Sequence, residues 1–262
     1  TGPKGSGKST LIRALGDILP PKSYVLGCPY NCDPSEPDNL CQSCREVLSE
    51  KNPDAVGSRS QKIVELPIGA TEDGLLGTID AEEVIGRGVK SLEPGLLGKA
   101  NQNILYIDEV NLLPDYLVDS ILDPAASGWN SVQREGISLV HPAKFTLIAS
   151  MNPEEGDLRP QILDRFALNV EMEKIDDPGL RMEIVRRNLS FEQGPEAFAE
   201  EYLDEQESLR DKIESASQRL QDIEAPDSIV NGIAEICSEL GVEGLRSDLA
   251  VLKAARANAA FE

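Results

Sequence analysis

Gly2-Pro3-Lys4-Gly5-Ser6-Gly7-Lys8-Ser9 is the stretch whose reading decides the fold. It fits the phosphate-loop pattern: Gly, four residues, then Gly-Lys-Ser/Thr. Glycines in such a loop let backbone N–H groups turn inward around phosphate oxygens. A helix that begins near Gly7 adds its positive end to the same place. Lys8 is spaced to reach the β and γ phosphates of ATP, and the Ser9 hydroxyl to ligate Mg²⁺. The expected nucleotide site therefore runs from Gly2 through Pro3, Lys4, Gly5, Ser6, Gly7, Lys8 and Ser9 to Thr10, with ATP and Mg²⁺ as cofactors. A loop of this kind follows a strand, so a strand is expected ahead of Thr1.

Working outward, the next decisive stretch is Ile104-Leu105-Tyr106-Ile107-Asp108-Glu109. A continuous apolar run of this length marks a strand buried on both faces. It delivers two carboxylates to its C-terminal edge. Asp108 is placed to complete the Mg²⁺ shell through water, and Glu109 to orient and polarise the attacking water. Phe145–Ala149 is a second buried strand, and it leads into Ser150-Met151-Asn152. The Asn152 amide can hold the water or the γ-phosphate. Loop, carboxylates and amide together imply ATP hydrolysis rather than nucleotide binding alone.

Around these motifs, residues 11–19 read as a helix with Leu11, Ile12 and Leu15 on its apolar face, stopped by Pro20-Pro21. Residues 22–60 read as irregular. Ile63–Leu66 is a short strand, 114–126 a helix and Ser131–Val140 a hairpin centred on Glu135-Gly136. Ala167–Val170 reads as a third buried strand. Beyond Asp176-Asp177-Pro178 only helical patterns remain, at 179–190, 196–222, 227–239 and 244–259. The expectation is an α/β core with a mainly parallel sheet over residues 1–177 and a helical domain over 178–262.

The chain has 262 residues, with 46 acidic against 25 basic side chains and a net charge of -21. That argues against nucleic acid as a partner, whose protein footprint is basic. No uninterrupted apolar run approaches a membrane span. Four of the five cysteines cluster as Cys28-x₃-Cys32-x₈-Cys41-x₂-Cys44. Four thiolates suit Zn²⁺ or an iron–sulfur cluster. Redox-active or disulfide-forming thiols, and unliganded reduced cysteines, remain open beside that reading. Cys237 lies on an apolar helical stripe and reads as buried filler. His141, the single histidine, reads as structural, because Glu109 already supplies the base.

In order along the chain, these motifs resemble an AAA+ ATPase, and more closely the ATPase (I) subunit of magnesium chelatase and its cobalt-chelatase-like relatives. The resemblance is carried by Leu66-Pro67-Ile68-Gly69-Ala70-Thr71-Glu72-Asp73, Gly77-Thr78-Ile79-Asp80 and Glu93-Pro94-Gly95-Leu96-Leu97. Ile107-Asp108-Glu109-Val110-Asn111-Leu112-Leu113, Asn152-Pro153-Glu154-Glu155-Gly156, Leu158-Arg159-Pro160-Gln161, Leu163-Asp164-Arg165-Phe166 and Gly244-Leu245-Arg246 continue it. It implies a helix-2 insertion over Thr78–Glu93, a hairpin before sensor 1 near Val132–Val140, and a C-terminal helical lid. Asn152 matches sensor 1, Arg165 the arginine finger that reaches a neighbour's ATP, and Arg246 sensor 2. Arg159 lies in the same stretch as Arg165 and shares the expectation of facing the interface. The implied assembly is a homo-oligomeric ring of six chains. It acts with a second AAA+ subunit bearing a von Willebrand-type domain and with a large catalytic subunit, in the cytoplasm or the plastid stroma. ATP hydrolysis would drive insertion of Mg²⁺ or Co²⁺ into a tetrapyrrole.

The four-cysteine set departs from the family, which often keeps a Gly-Cys-Pro at the Gly27-Cys28-Pro29 position without four cysteines, so a metal there is not implied by the resemblance. Two other functions compete. A MoxR-like chaperone for metal loading, or for remodelling a von Willebrand-domain partner, would share the ATP chemistry, but Leu66–Asp73 and Glu93–Leu97 favour the chelatase branch. A nucleic-acid motor of the MCM type is opposed by the acidic charge and by the lack of a basic or aromatic strip.

Overall fold

The computed structural model describes residues 1–49, 55–79, 92–134, 137–242 and 244–262. The chain divides into two units: Thr1–Gly16 with Pro21–Arg159, and Asp17–Pro20 with Pro160–Glu262.

Helix α1 (Lys8–Ile18) leaves the phosphate loop. Ile12 and Leu15 are half-buried, but Leu11 is 57% exposed, so the expected three-residue apolar face is narrower by one. A side chain at Gly16 would meet Ile63 at 3.6 Å, which shows how closely α1 approaches the strand that starts there. Strand β1 (Lys22–Val25) pairs antiparallel with β2 (Val56–Arg59), and α2 (Gln42–Ser49) lies between them in sequence. The stretch read as irregular is therefore structured. Its two strands are short, and their pairing spans most of the segment, so no local alternation reveals them. Its packing comes from a small core of Val25, Tyr30, Cys32, Leu40, Cys41 and Cys44.

Strand β3 (Ile63–Leu66) is followed by α3 (Glu72–Leu76), whose first turn is capped where Thr71 Oγ accepts from the Gly74 N–H at 3.1 Å. Strands β4 (Gly77–Ile79) and β5 (Leu92–Pro94) pair antiparallel, and α4 (Leu96–Ala100) follows. Gly95 has to be glycine. A Cβ there would lie 2.4 Å from the Gly77 nitrogen and the Leu75 carbonyl oxygen. The body of the expected helix-2 insertion, residues 80–91, lies outside the described residues; the β4–β5 pair flanks it.

Next come β6 (Ile104–Ile107), α5 (Asp115–Ser127), β7 (Trp129–Arg134), β8 (Ile137–Pro142) and β9 (Thr146–Ala149). Among the described residues, β3, β6 and β9 form one parallel sheet with β6 in the centre, in register at Leu66, Ile107 and Ala149. All four residues of β6 are buried, as an uninterrupted apolar run demands of a central parallel strand. The β7–β8 pair is the expected hairpin, with Trp129 opposite Pro142; residues 135 and 136 lie outside the described residues.

In the second unit α6 (Pro160–Leu163) leads into a segment without helix or strand. This corrects the expected strand at Ala167–Val170, where Leu168 and Val170 are 72% and 71% exposed. An apolar run becomes a strand only when its backbone joins a ladder, and among the described residues Ala167–Val170 joins none. Helices α7 (Pro178–Gln193), α8 (Pro195–Glu201), α9 (Leu203–Arg219), α10 (Asp227–Glu239) and α11 (Arg246–Phe261) complete the unit. Asp177 caps α7 by accepting from the Leu180 N–H at 2.7 Å. The single helix expected over 196–222 breaks at Tyr202, whose ring packs on Phe198 at 5.1 Å and lies under Arg187 at 5.6 Å. Arg256 on α11 donates to the Leu220 and Ile223 carbonyls, tying α11 to the segment after α9. No described helix is long and apolar enough to cross a membrane.

Candidate active site

Gly5 and Gly7 take φ values of 79° and 83°, the left-handed region where any other residue would be strained. Their turns fold the loop around Lys8. The Lys8 ammonium donates to the Gly2 carbonyl at 2.5 Å and the Pro3 carbonyl at 2.7 Å. These are neutral acceptors. Anionic phosphate oxygens are stronger ones and can draw the ammonium from them. The Gly2 N–H donates to the Met151 carbonyl at 3.3 Å, which ties the start of the loop to the residue before Asn152.

The loop meets the central strand at Asp108. Ser9 Oγ lies 3.3 Å from each Asp108 carboxylate oxygen. Two further hydroxyls donate to the same carboxylate: Tyr106 at 2.8 Å and Ser150 at 2.5 Å. Burial pushes the Asp108 carboxyl up, but hydrogen bonds from Ser150, Tyr106 and Ser9 outweigh it and hold the group below the usual carboxylate range. Asp108 is therefore an anion beside a hydroxyl. Hard oxygen donors of this kind fit Mg²⁺.

Glu109 sits at φ 53° and ψ 55°, a left-handed conformation that costs a non-glycine residue about 1–2 kcal/mol. Its neighbours hold it there. Its N–H donates to Ser150 Oγ at 3.2 Å, and the Val110 N–H donates to the Ser150 carbonyl at 3.0 Å. The chain thus turns sharply at the strand end. Asn152 is 6% exposed, and its Oδ1 accepts from the Glu154 N–H at 3.2 Å. Lys8, Ser9, Asp108, Glu109 and Asn152 all belong to the first unit, and the last three lie just past the C-terminal ends of β6 and β9, where ligands bind in open parallel sheets.

Tyr106 and Ser150 are site residues that the motifs do not mark. The signal for Tyr106 is its hydroxyl in an aliphatic strand, two positions before Asp108 and so on the same face. Ser150 reaches Asp108 only through the β6–β9 register. Tyr106→Phe is expected to cost about 0.5–1.5 kcal/mol of stability, the net worth of one buried hydrogen bond. Urea unfolding measures it, and an unchanged midpoint would contradict the hydroxyl's part in holding Asp108.

Arg159, also in the first unit, pairs with Asp115 at the start of α5. Arg165 and Arg246 lie in the second unit. Arg246 pairs with Asp164 at 2.8 Å, with both side chains about three-fifths exposed, and the Arg165 N–H donates to the Ile162 carbonyl at 3.0 Å.

Residues 77–160 match the family described as magnesium chelatase, subunit ChlI, and residues 231–262 match the AAA lid domain. The magnesium-chelatase subunit ChlI of Mesostigma viride is 50% identical over 261 residues, covering all of this chain and 72% of that protein. The chain belongs to the magnesium-chelatase ChlI family of AAA+ ATPase subunits. The ChlI homolog of Methanocaldococcus jannaschii is 48% identical over 260 residues, covering 99% of this chain and 70% of that protein. A cryo-EM-based structure of a complex between magnesium-chelatase subunits BchI and BchD contains a chain 44% identical to this one. It superposes with a TM-score of 0.56, over 99% of this chain and 78% of that one. The parallel sheet, antiparallel pairs and helical C-terminal region are accordingly those of a ChlI-type AAA+ core and lid.

Within this ChlI-family core stands a second cluster of chemistry. The sulfurs of Cys28, Cys32, Cys41 and Cys44 all lie within 4.8 Å of one another, and none is in a disulfide. Hydrogen bonds from Cys32 and Cys41 draw the Cys28 thiol well below its ordinary value, while burial pushes Cys44 up. Four thiols so placed can hold a metal ion. Cys237 is buried on α10. His141 is fully buried, and burial lowers its pKa. The neutral ring accepts from Asn130 Nδ2 through Nε2 and donates through Nδ1 to the Pro142 carbonyl, a tautomer assigned from these partners.

Proposed function

We propose that this chain is the ATP-hydrolysing motor of a metal chelatase, and that turnover at its phosphate loop drives insertion of Mg²⁺ or Co²⁺ into a tetrapyrrole held by a large partner subunit. The observation that carries the reading is the convergence of Ser9 from the loop and Asp108 from the central strand. Family membership supports the motor role and sets aside the MoxR-like and nucleic-acid readings. The BchI–BchD complex supports a second chelatase subunit as partner.

Lys8 and the loop N–H groups bind the β and γ phosphates. Ser9 and Asp108 would hold the Mg²⁺ that accompanies ATP, which would supply charge neutralisation at the phosphates. Glu109 takes the proton of the attacking water, and Asn152 orients that water or the γ-phosphate. Arg165 acts in trans on the neighbour's ATP in a six-membered ring, and Arg246 reports the nucleotide state from the lid. The working setting is the cytoplasm or a plastid stroma. A metal ion in the cysteine cage belongs to this reading as a structural part, outside the ATP chemistry.

Lys8→Ala is expected to abolish Mg²⁺-dependent phosphate release by removing ATP binding. Two charge-assisted hydrogen bonds at about 1.5–3 kcal/mol each are lost, which is about a hundredfold or more in affinity. Titration with a fluorescent ATP analogue checks this. Unchanged affinity would overturn the assignment of the loop.

A further inference from the structure

The cysteine cage has the dimensions and the surroundings of a built metal site. Sulfurs about 2.3 Å from a central tetrahedral ion stand about 3.8 Å apart. The Cys28 and Cys41 sulfurs are already 3.9 Å apart, and all four fall within 4.8 Å. An iron–sulfur cube would hold its ligand sulfurs further apart than this. Two of the sulfurs accept backbone hydrogen bonds, Cys28 from the Tyr30 N–H at 3.4 Å and Cys32 from the Cys41 N–H at 3.2 Å. Such bonds orient and stabilise thiolate ligands. The apolar core around them is small, with Val25, Tyr30 and Leu40 as its buried members besides the cysteines. A core of that size needs a staple.

The cage is also fastened to the catalytic unit. Tyr30, between two of the cysteines, stacks on His141 of β8 with ring centroids 4.6 Å apart and planes 11° from parallel. Its carbonyl accepts from Asn101, a fully buried residue just ahead of β6, at 2.6 Å. Glu36 in the same loop pairs with Lys144, between β8 and β9, at 2.6 Å. Trp129, the single tryptophan, lines a groove with Leu40, Cys41, Arg45 and Val140, where the loop faces the β7–β8 hairpin.

We propose that the four thiolates bind one Zn²⁺ ion, and that this ion fixes the Tyr30–His141 stack so that the cysteine loop braces the β7–β8 hairpin. The proposal rests on the reading of the cage as a structural metal site and adds the ion and its mechanical task. Binding displaces the thiol protons to solvent, with no change of oxidation state.

The test starts with metal analysis of protein purified without chelator. About one zinc per chain is expected, and it is lost in Cys32→Ser and Cys44→Ser. Stripping zinc from the wild-type protein under reducing conditions should shift Trp129 emission to the red. It should also speed amide exchange across 129–142 by about tenfold, as expected of a segment that has lost a brace. Tyr30→Ala should keep its zinc and still show both changes. If the serine variants do not fold, the stripped wild type and Tyr30→Ala carry the test. Zinc whose removal leaves Trp129 emission and hairpin exchange unchanged would overturn the brace while the metal site stands. Iron in place of zinc would overturn the choice of ion. Less than about a tenth of an equivalent of either metal in fully reduced protein would overturn the metal reading itself.

Discussion

Arg165→Ala chains should still bind ATP but turn it over about 10³–10⁵-fold more slowly, the range seen when enzymes lose a borrowed arginine finger. Charge moves onto the transferring phosphoryl group and its leaving oxygens during hydrolysis. A guanidinium placed against that charge stabilises the transition state more than bound ATP. Arg165 belongs to the second unit, in the Leu163-Asp164-Arg165-Phe166 segment, and we assign it to the neighbouring chain's nucleotide. Acting in trans has a signature that a structural arginine lacks. Lys8→Ala chains should be inactive alone, because they are expected to lose ATP. Mixed with Arg165→Ala chains in one ring, they leave some interfaces with an intact loop facing an intact finger, and activity should return. If the two variants co-assemble and no activity returns, the finger does not act across the interface.

Glu109→Gln should retain ATP and lose turnover by about 10²–10⁴-fold, the usual worth of a positioned general base. The substitution keeps the shape and polarity of the side chain and removes its capacity to take a proton. The backbone that aims it should survive, because the bonds from its own N–H and from Val110 to Ser150 are made by main-chain atoms. Phosphate release and nucleotide binding measured on the same preparation separate the two effects. An unchanged steady-state rate would remove Glu109 from the chemistry.

Much of this site is legible in the sequence, because its parts are local along the chain. The phosphate loop is contiguous, and Asp108-Glu109 follows directly on a run whose burial is announced by four apolar residues. The parts that are not legible depend on contacts between distant segments. Ser150 reaches Asp108 because Ile107 and Ala149 are in register, a pairing that neither strand states by itself. Strands β1 and β2 find each other across the cysteine loop, so Val25 and Val56 carry no readable pattern. Ala167–Val170 fails in the opposite direction. Its composition suits a strand, but among the described residues it joins no sheet, and Leu168 and Val170 stay in solvent. The break at Tyr202, where the ring packs on Phe198 and lies under Arg187, is likewise not announced by helix propensity. The four cysteine positions are plain in the sequence, whereas their convergence and their stack on a distant histidine arise only in the fold.

The central claim is that ATP turnover by this chain powers metal insertion, and it can be measured in one reaction. This chain is combined with its cognate second and large chelatase subunits, ATP, Mg²⁺ and the free tetrapyrrole, and the metallated product is followed by fluorescence. The account predicts product with the wild-type chain and none above background when Lys8→Ala takes its place. Equal rates of insertion with the two chains, or full insertion with the chain left out, would contradict it.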